Sequence, residues 1–324
     1  MPYRDAAATL VTAVTSVLAE RDVALELIAI DDGSTDDGPR RIAEIASHDR
    51  RIVCVDAGGV GIARALSRGL AVARGDLVAR MDADDESLIG RFALQRDAMA
   101  RDDRLAVVGA RVDAFGEVGR GMELYLAWLN SLVTHEDHAR DLFVESPLCH
   151  PSVMMRRHAL ESVGGYRDVV WPEDYDLWLR FDQAGWRMAK VPAVLLRWRH
   201  HGARATLRDP RYAIERFTEA KAHYLAPRLA SMHKAVTVWG AGPTGKRLAR
   251  ALEREGVTAT RFVDIDPRKI GGIARGQQIV SPDALRRGDA TIVVAVGARG
   301  ARELIRGELL ARGFVEGADF VCAS

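Results

Sequence analysis

The chain has 324 residues, 48% of them hydrophobic, enough to bury one large core or two smaller ones. Its 46 Lys and Arg against 45 Asp and Glu leave a formal charge of +1, so no global attraction to a nucleic acid is expected. There is no apolar run of about 18 residues and no basic-then-apolar leader, so neither a transmembrane segment nor a secretory signal is read.

Cys54, Cys149 and Cys322 lie too far apart for a disulfide framework or a cysteine zinc site, which fits a reducing cytoplasm. Any contact with a membrane is then peripheral, at its inner face.

Residues 1–5 lead directly into a helical stretch at 6–19. A helix that crosses over to a parallel strand ordinarily has a strand in front of it, so a first strand is expected to be missing. Apolar runs at 25–30, 52–55 and 77–81 then alternate with helix-period stretches at 40–47 and 62–73. This is α/β wiring, which places ligands at the carboxyl ends of the strands, here the polar loops after Ile30 and Met81. From about 116 to 145 the pattern is mostly helical and irregular, and short strands are expected at 152–155, 187–191 and 194–199. That middle part is where acceptor contacts are expected. A helix at 209–229 leads to a strand at 235–239 and a second alternation, with strands at 278–280 and 291–296. Two domains follow, 1–231 and 232–324.

Asp31, Asp32, Gly33, Ser34, Thr35, Asp36, Asp37 and Gly38 stand between a strand and a helix. Such residues suit a turn with an N-cap, and adjacent carboxylates at a strand end also suit hydrogen bonds to a base or ribose. The second acidic cluster is Asp82-Ala83-Asp84-Asp85. Carboxylates this dense repel one another unless water or a cation offsets them, and hard oxygen ligands suit magnesium or manganese.

The stretch 26–38, the stretch 61–85 with Ala65-Leu66-Ser67-Arg68-Gly69-Leu70 before its acidic end, His150-Pro151-Ser152-Val153-Met154-Met155-Arg156-Arg157, Gly164-Gly165-Tyr166, and Glu173-Asp174-Tyr175-Asp176-Leu177-Trp178-Leu179-Arg180 occur in an order that resembles glycosyltransferase family 2 of the GT-A type. The resemblance covers about residues 2–201. It implies an α/β fold with a GT-A mixed sheet flanked by helices, a nucleoside-diphosphate sugar donor, a hydroxyl acceptor, and Mn2+ or Mg2+. By the same resemblance Asp32 contacts the nucleobase, Asp82 the ribose or the metal region, and Asp84 the cation on the diphosphate, with Asp85 a helper. Asp5 belongs to what remains of the loop after the first strand and is placed on the donor side. Asp174 would be the base of an inverting displacement. In Trp198-Arg199-His200-His201-Gly202, His201 matches the family spacing for a metal or diphosphate contact better than His200. Ser67 stands where many members carry Asn, and Ile89 where many carry Pro.

The residues alone leave Asp174 open, because Pro172-Glu173-Asp174 also reads as the first turn of a helix burying Leu177, Phe181 and Ala184, where acids stabilise the helix dipole.

Gly240, Gly242 and Gly245 form a Gly-x-Gly-x-x-Gly between a strand and a helix, with Asp264 and Asp266 about twenty residues on, as in a Rossmann-type phosphate loop for a nucleotide or dinucleotide. The order of Val-Trp-Gly-Ala-Gly-Pro-Thr-Gly, Phe-Val-Asp-Ile-Asp-Pro, Ile-Gly-Gly and Val-Ala-Val-Gly resembles the nucleotide-sugar-binding domain of sugar acyltransferases, without the acyltransferase repeats. A degenerate Rossmann-like fold used for packing stays equally open. The expected function is sugar transfer, with inversion, onto a saccharide or lipid-linked hydroxyl in surface polysaccharide or glycoconjugate synthesis. Two alternatives are a nucleotide-sugar oxidoreductase using the second domain and a non-catalytic scaffold. The first lacks the spaced Tyr and Lys of short-chain dehydrogenases.

Overall fold

A computed structural model describes residues 1–202, 204 and 208–324. The chain divides into two units. One comprises Met1–His138, Pro147–Val169 and Glu173–Arg208; the other comprises Ala139–Ser146, Val170–Pro172 and Asp209–Ser324. The second unit therefore takes in the helix Ile214–Ser231, ahead of residue 232 where the sequence suggests a boundary.

In the first unit, β1 (Pro2–Tyr3), β2 (Leu27–Asp31) and β3 (Ile52–Asp56) form a parallel sheet. What precedes the first helix is thus a two-residue strand rather than none: Pro2 pairs with Ile30 and Tyr3 with Asp31. The helix Ala7–Leu18 buries Leu10, Ala13, Val14, Val17 and Leu18, the stripe expected of an amphipathic helix laid on a sheet. Its N-terminus is capped from a distance, since the Ala7 amide donates to Asp36 Oδ2 at 2.7 Å.

A second, mixed sheet holds β4 (Leu77–Ala79), β5 (Glu86–Ser87), β6 (Leu105–Gly116), β7 (Met154–Arg156) and β8 (Arg187–His200), in the order β4-β7-β6-β8-β5. The long pair β6 and β8 runs parallel, and β5 joins β8 antiparallel through Glu86 opposite Arg197. The acidic loop 82–85 therefore lies between β4 and β5 and is held against the carboxyl end of β8. A cavity of about 230 Å³ touches both sheets, bordered by Leu27, Ile28 and Ile30 of β2 and Leu77, Val78 and Ala79 of β4.

The second unit contains β9 (Ala235–Trp239), β10 (Ala259–Val263), β11 (Ile273–Ala274), β12 (Gln277–Val280), β13 (Ala290–Val294) and β14 (Phe320–Cys322). The order is β11-β12-β10-β9-β13-β14, all pairs parallel except β11 with β12. Setting aside the small β11, the parallel strands stand in the doubly wound order 3-2-1-4-5, whose reversal between β9 and β13 opens a crevice at the strand ends. Among the described residues no helix is long and apolar enough to cross a membrane.

Candidate active site

Two loops and one N-terminal residue are tied together at the carboxyl ends of β1, β2 and β3. Asp32, 8% exposed, accepts the Gly61 amide at both carboxylate oxygens, each at 3.1 Å. Gly61 precedes the helix Ile62–Val72, so this carboxylate also faces a helix N-terminus, where negative charge is favoured. Asp5 Oδ1 accepts the Thr35 amide at 2.7 Å and the Thr35 hydroxyl at 3.0 Å, and these bonds hold its carboxyl below the usual range. The loops approach so closely that a Cβ on Gly33, which has φ 78°, would stand 2.9 Å from Gly59 Cα. Only glycine meets both demands.

The acidic cluster gathers three carboxylates. Asp82, Asp84 and Asp85 each place an oxygen within 4.8 Å of the others. His201 Nε2 lies 3.0 Å from Asp84 Oδ2. Arg199, on β8, ties the loop down twice, its amide donating to Asp85 Oδ1 at 2.8 Å and its Nε to the Asp84 carbonyl at 2.8 Å. Its guanidinium rests over the Phe115 ring of β6 at 4.3 Å. Burial, then Asp82, raises the carboxyl of Asp84 against the opposing pull of His201; burial, Asp82 and Asp84 raise Asp85 further still. Among the described residues Asp85 Oδ2 is buried with no hydrogen-bond partner. Crowded, hard oxygen donors with one orphaned buried oxygen fit a divalent cation of the Mg2+ or Mn2+ type.

Asp174 is half-buried in the first turn of the helix Glu173–Gln183. Burial first, then the neighbouring Glu173, push its carboxyl up to about 8, although it accepts the Tyr175 amide at 2.8 Å. A carboxyl in that range is partly ionised at neutral pH and strongly proton-seeking when ionised, which is what a general base needs. Around it lies a buried polar set. His150 Nε2 is 2.9 Å from the Tyr166 hydroxyl, and His150 Nδ1 is 4.0 Å from Glu173 Oε1. Burial holds His150 far below its usual value and therefore neutral. Burial raises the Tyr166 phenol, and Glu173, Asp174 and Asp82 add to that rise against the opposing pull of Arg80.

The sequence reading gives no role to Arg80, which bridges to Asp82, or to His150 and Tyr166. An arginine inside the otherwise apolar run 77–81 is the signal that marks Arg80, since a charge on a strand in a core needs a partner.

In the second unit, Gly240 and Gly245 are fixed by packing. A Cβ would stand 2.3 Å from the Ala295 carbonyl at the first and 1.9 Å from the Gly240 carbonyl at the second. Gly242 differs, because a Cβ there would meet nothing within 4 Å. Asp264, at the end of β10, accepts the Ala241 amide at 3.2 Å and pairs with Lys269 at 2.9 Å.

Fold and site together define a glycosyltransferase. Residues 1–164, half of the chain, match glycosyl transferase family 2, and the chain belongs to that family. It is 32% identical over 213 residues to the putative glycosyltransferase EpsE of Bacillus subtilis (strain 168), covering 64% of this chain and 74% of that protein. It is 29% identical over 168 residues to the UDP-Gal:alpha-D-GlcNAc-diphosphoundecaprenol beta-1,3-galactosyltransferase of Escherichia coli, covering 51% of this chain and 58% of that one. Among solved structures, S. aureus TarS 1–349 in complex with UDP-GlcNAc superposes with a TM-score of 0.53 at 16% identity, over 78% of this chain and 70% of that chain, which shows a shared fold.

Proposed function

We propose that this glycosyltransferase moves a sugar, with inversion, from a nucleoside diphosphate to a hydroxyl on a saccharide or lipid-linked acceptor in surface polysaccharide or glycoconjugate assembly. The observation that carries the reading is the carboxylate triad Asp82, Asp84 and Asp85 with His201 on Asp84. Asp84 and His201 would hold Mn2+ or Mg2+, with Asp82 and Asp85 beside them. Such a cation supplies charge neutralisation for the departing diphosphate. Asp5 and Asp32 lock the loops that would form the wall for base and ribose. Ionised Asp174 takes the proton of the acceptor hydroxyl; that oxygen bonds to the anomeric carbon as the bond from that carbon to the diphosphate oxygen breaks.

The transfer chemistry is assigned to residues 1–231. The name of the E. coli relative carries a sugar on diphosphoundecaprenol, which supports a lipid-linked acceptor met from the cytoplasm at the inner membrane face. The test is Asp174→Asn, with donor binding and nucleotide release measured on UDP-, GDP- and dTDP-sugars in the presence of Mn2+. Retained binding with turnover lowered about 10²- to 10⁴-fold is expected. Turnover at the parent rate would reject Asp174 as the base, and donor binding with no turnover in the parent chain itself would favour a scaffold.

For residues 232–324 we infer a nucleotide or dinucleotide site on the loop Gly240, Gly242 and Gly245 with Asp264. The reading is supported by Gly242, whose lack of a side chain no neighbour requires but a close-lying phosphate would. The likeness to the nucleotide-sugar-binding domain of sugar acyltransferases belongs to this reading. Tight binding of a nicotinamide dinucleotide would instead favour the oxidoreductase.

A further inference from the structure

Arg80 follows β4 and is 5% exposed. A guanidinium this buried is unfavourable unless carboxylates and carbonyls answer it. Here Nη2 stands 2.6 Å from Asp82 Oδ1, and Nη1 donates to the Met81 carbonyl. Its backbone is pinned on both sides: the amide donates to the Val153 carbonyl at 2.9 Å, and its carbonyl accepts from Arg91 Nη2 at 2.6 Å. The side chain therefore has little freedom to leave the site. Glu173, 1% exposed, and Tyr166 are the other acidic groups that feel this charge. Asp174 feels it too, together with Glu173 from its own helix. Packing alone would be served by an apolar residue, as it is at Leu77 and Val78 just before.

We propose that Arg80 is a positioning residue that joins the two halves of the site, fixing the Asp82 carboxylate in the acidic loop and supplying the buried positive charge that Tyr166, Glu173 and Asp174 face. The inference rests on the reading of Asp174 and the triad given above. Two consequences separate it from a structural role. Holding Asp82 in place matters for the metal, because partners of a metal-site carboxylate typically change affinity about 10- to 100-fold when lost. Supplying charge matters for Asp174, because an opposite charge nearby favours the ionised form.

The experiment compares unfolding midpoints against pH for the full chain, Asp174→Asn, Arg80→Met and the double variant. Without Arg80 the ionised carboxylate is less favoured, so the gap opened by Asp174→Asn should keep widening to higher pH. In the parent background the gap should level off near pH 8, where the Asp174 carboxyl titrates. In the Arg80→Met background the plateau should come at higher pH. The same plateau in both backgrounds overturns the inference. A gap that stays flat with pH in the parent overturns the Asp174 reading and the inference with it. Arg80→Lys keeps the charge and loses the fork, so its plateau should stay, while the Mn2+ concentration needed for nucleotide-dependent stabilisation rises about tenfold. Should Arg80→Met fail to fold, an unchanged Mn2+ requirement in Arg80→Lys overturns the positioning of Asp82.

Discussion

Asp174 and Asp176 stand two residues apart on one helix, yet their surroundings assign them opposite tasks. Asp176 is 1% exposed and paired with Arg180 at 2.8 Å, and Arg180 also donates to the Val163 and Gly165 carbonyls. Removing one partner strands a buried charge, so Arg180→Met should lose about 3–5 kcal/mol in urea unfolding. A loss under about 1 kcal/mol, the value of an exposed pair, would contradict the structural role. Among the described residues no arginine hydrogen-bonds Asp174, and burial, then Glu173, push its carboxyl up to about 8 against about 3.9 in an unfolded chain. The folded state therefore binds the extra proton. The stability this confers is present in full below about pH 4 and is lost as pH rises through about 8, whereas the rate rises with pH over the last part of that window. Asp174→Asn should melt higher than the parent above about pH 8 while losing turnover. A parent rate independent of pH from about 6 to 9 would contradict the assignment. Both acidic loops can be picked out in the sequence because each packs its carboxylates into one short segment. The bonds that complete them cannot, since Asp85 meets the Arg199 amide 114 residues away.

At the scale of elements, the alternation through residue 79 is legible because each strand is short and bounded by polar loops. The twelve-residue β6 is not legible. Its first six residues are all buried, so the strand shows no alternation to mark it. The pattern also reads 187–191 and 194–199 as two strands around Pro192. The structure runs them together as β8, with register shifts opposite Ala110–Val112 that accommodate the proline. At the front of the chain, β1 has two residues, and a cavity is bordered by β2 and β4. A short segment of alternating Val and Ser fused ahead of Met1 should extend β1 into that space. It should raise the unfolding midpoint by at least about 2–4 °C, the shift that 1 kcal/mol gives in a domain of this size. A Ser and Gly segment of equal length should not. Equal midpoints for the two fusions would show that the cavity does not accept a strand.

At the scale of the molecule, each unit carries a loop for which we propose nucleotide binding. The second is legible through glycine spacing. What spacing cannot give is which glycine serves packing, and the structure divides them: Gly240 and Gly245 have no room for a side chain, and Gly242 has. Gly242→Val should therefore fold with little change in midpoint and lose whatever nucleotide binds residues 232–324. Unchanged binding by calorimetry would make the loop a packing device. The metal-dependent donor site proposed for the first unit can be tested by thermal stabilisation of the full chain with UDP, GDP or dTDP, in Mn2+ or in EDTA. One nucleotide should stabilise the chain only with Mn2+, and Asp84→Ala should abolish the effect. Stabilisation that is the same in EDTA, or that survives Asp84→Ala, would contradict the proposed site.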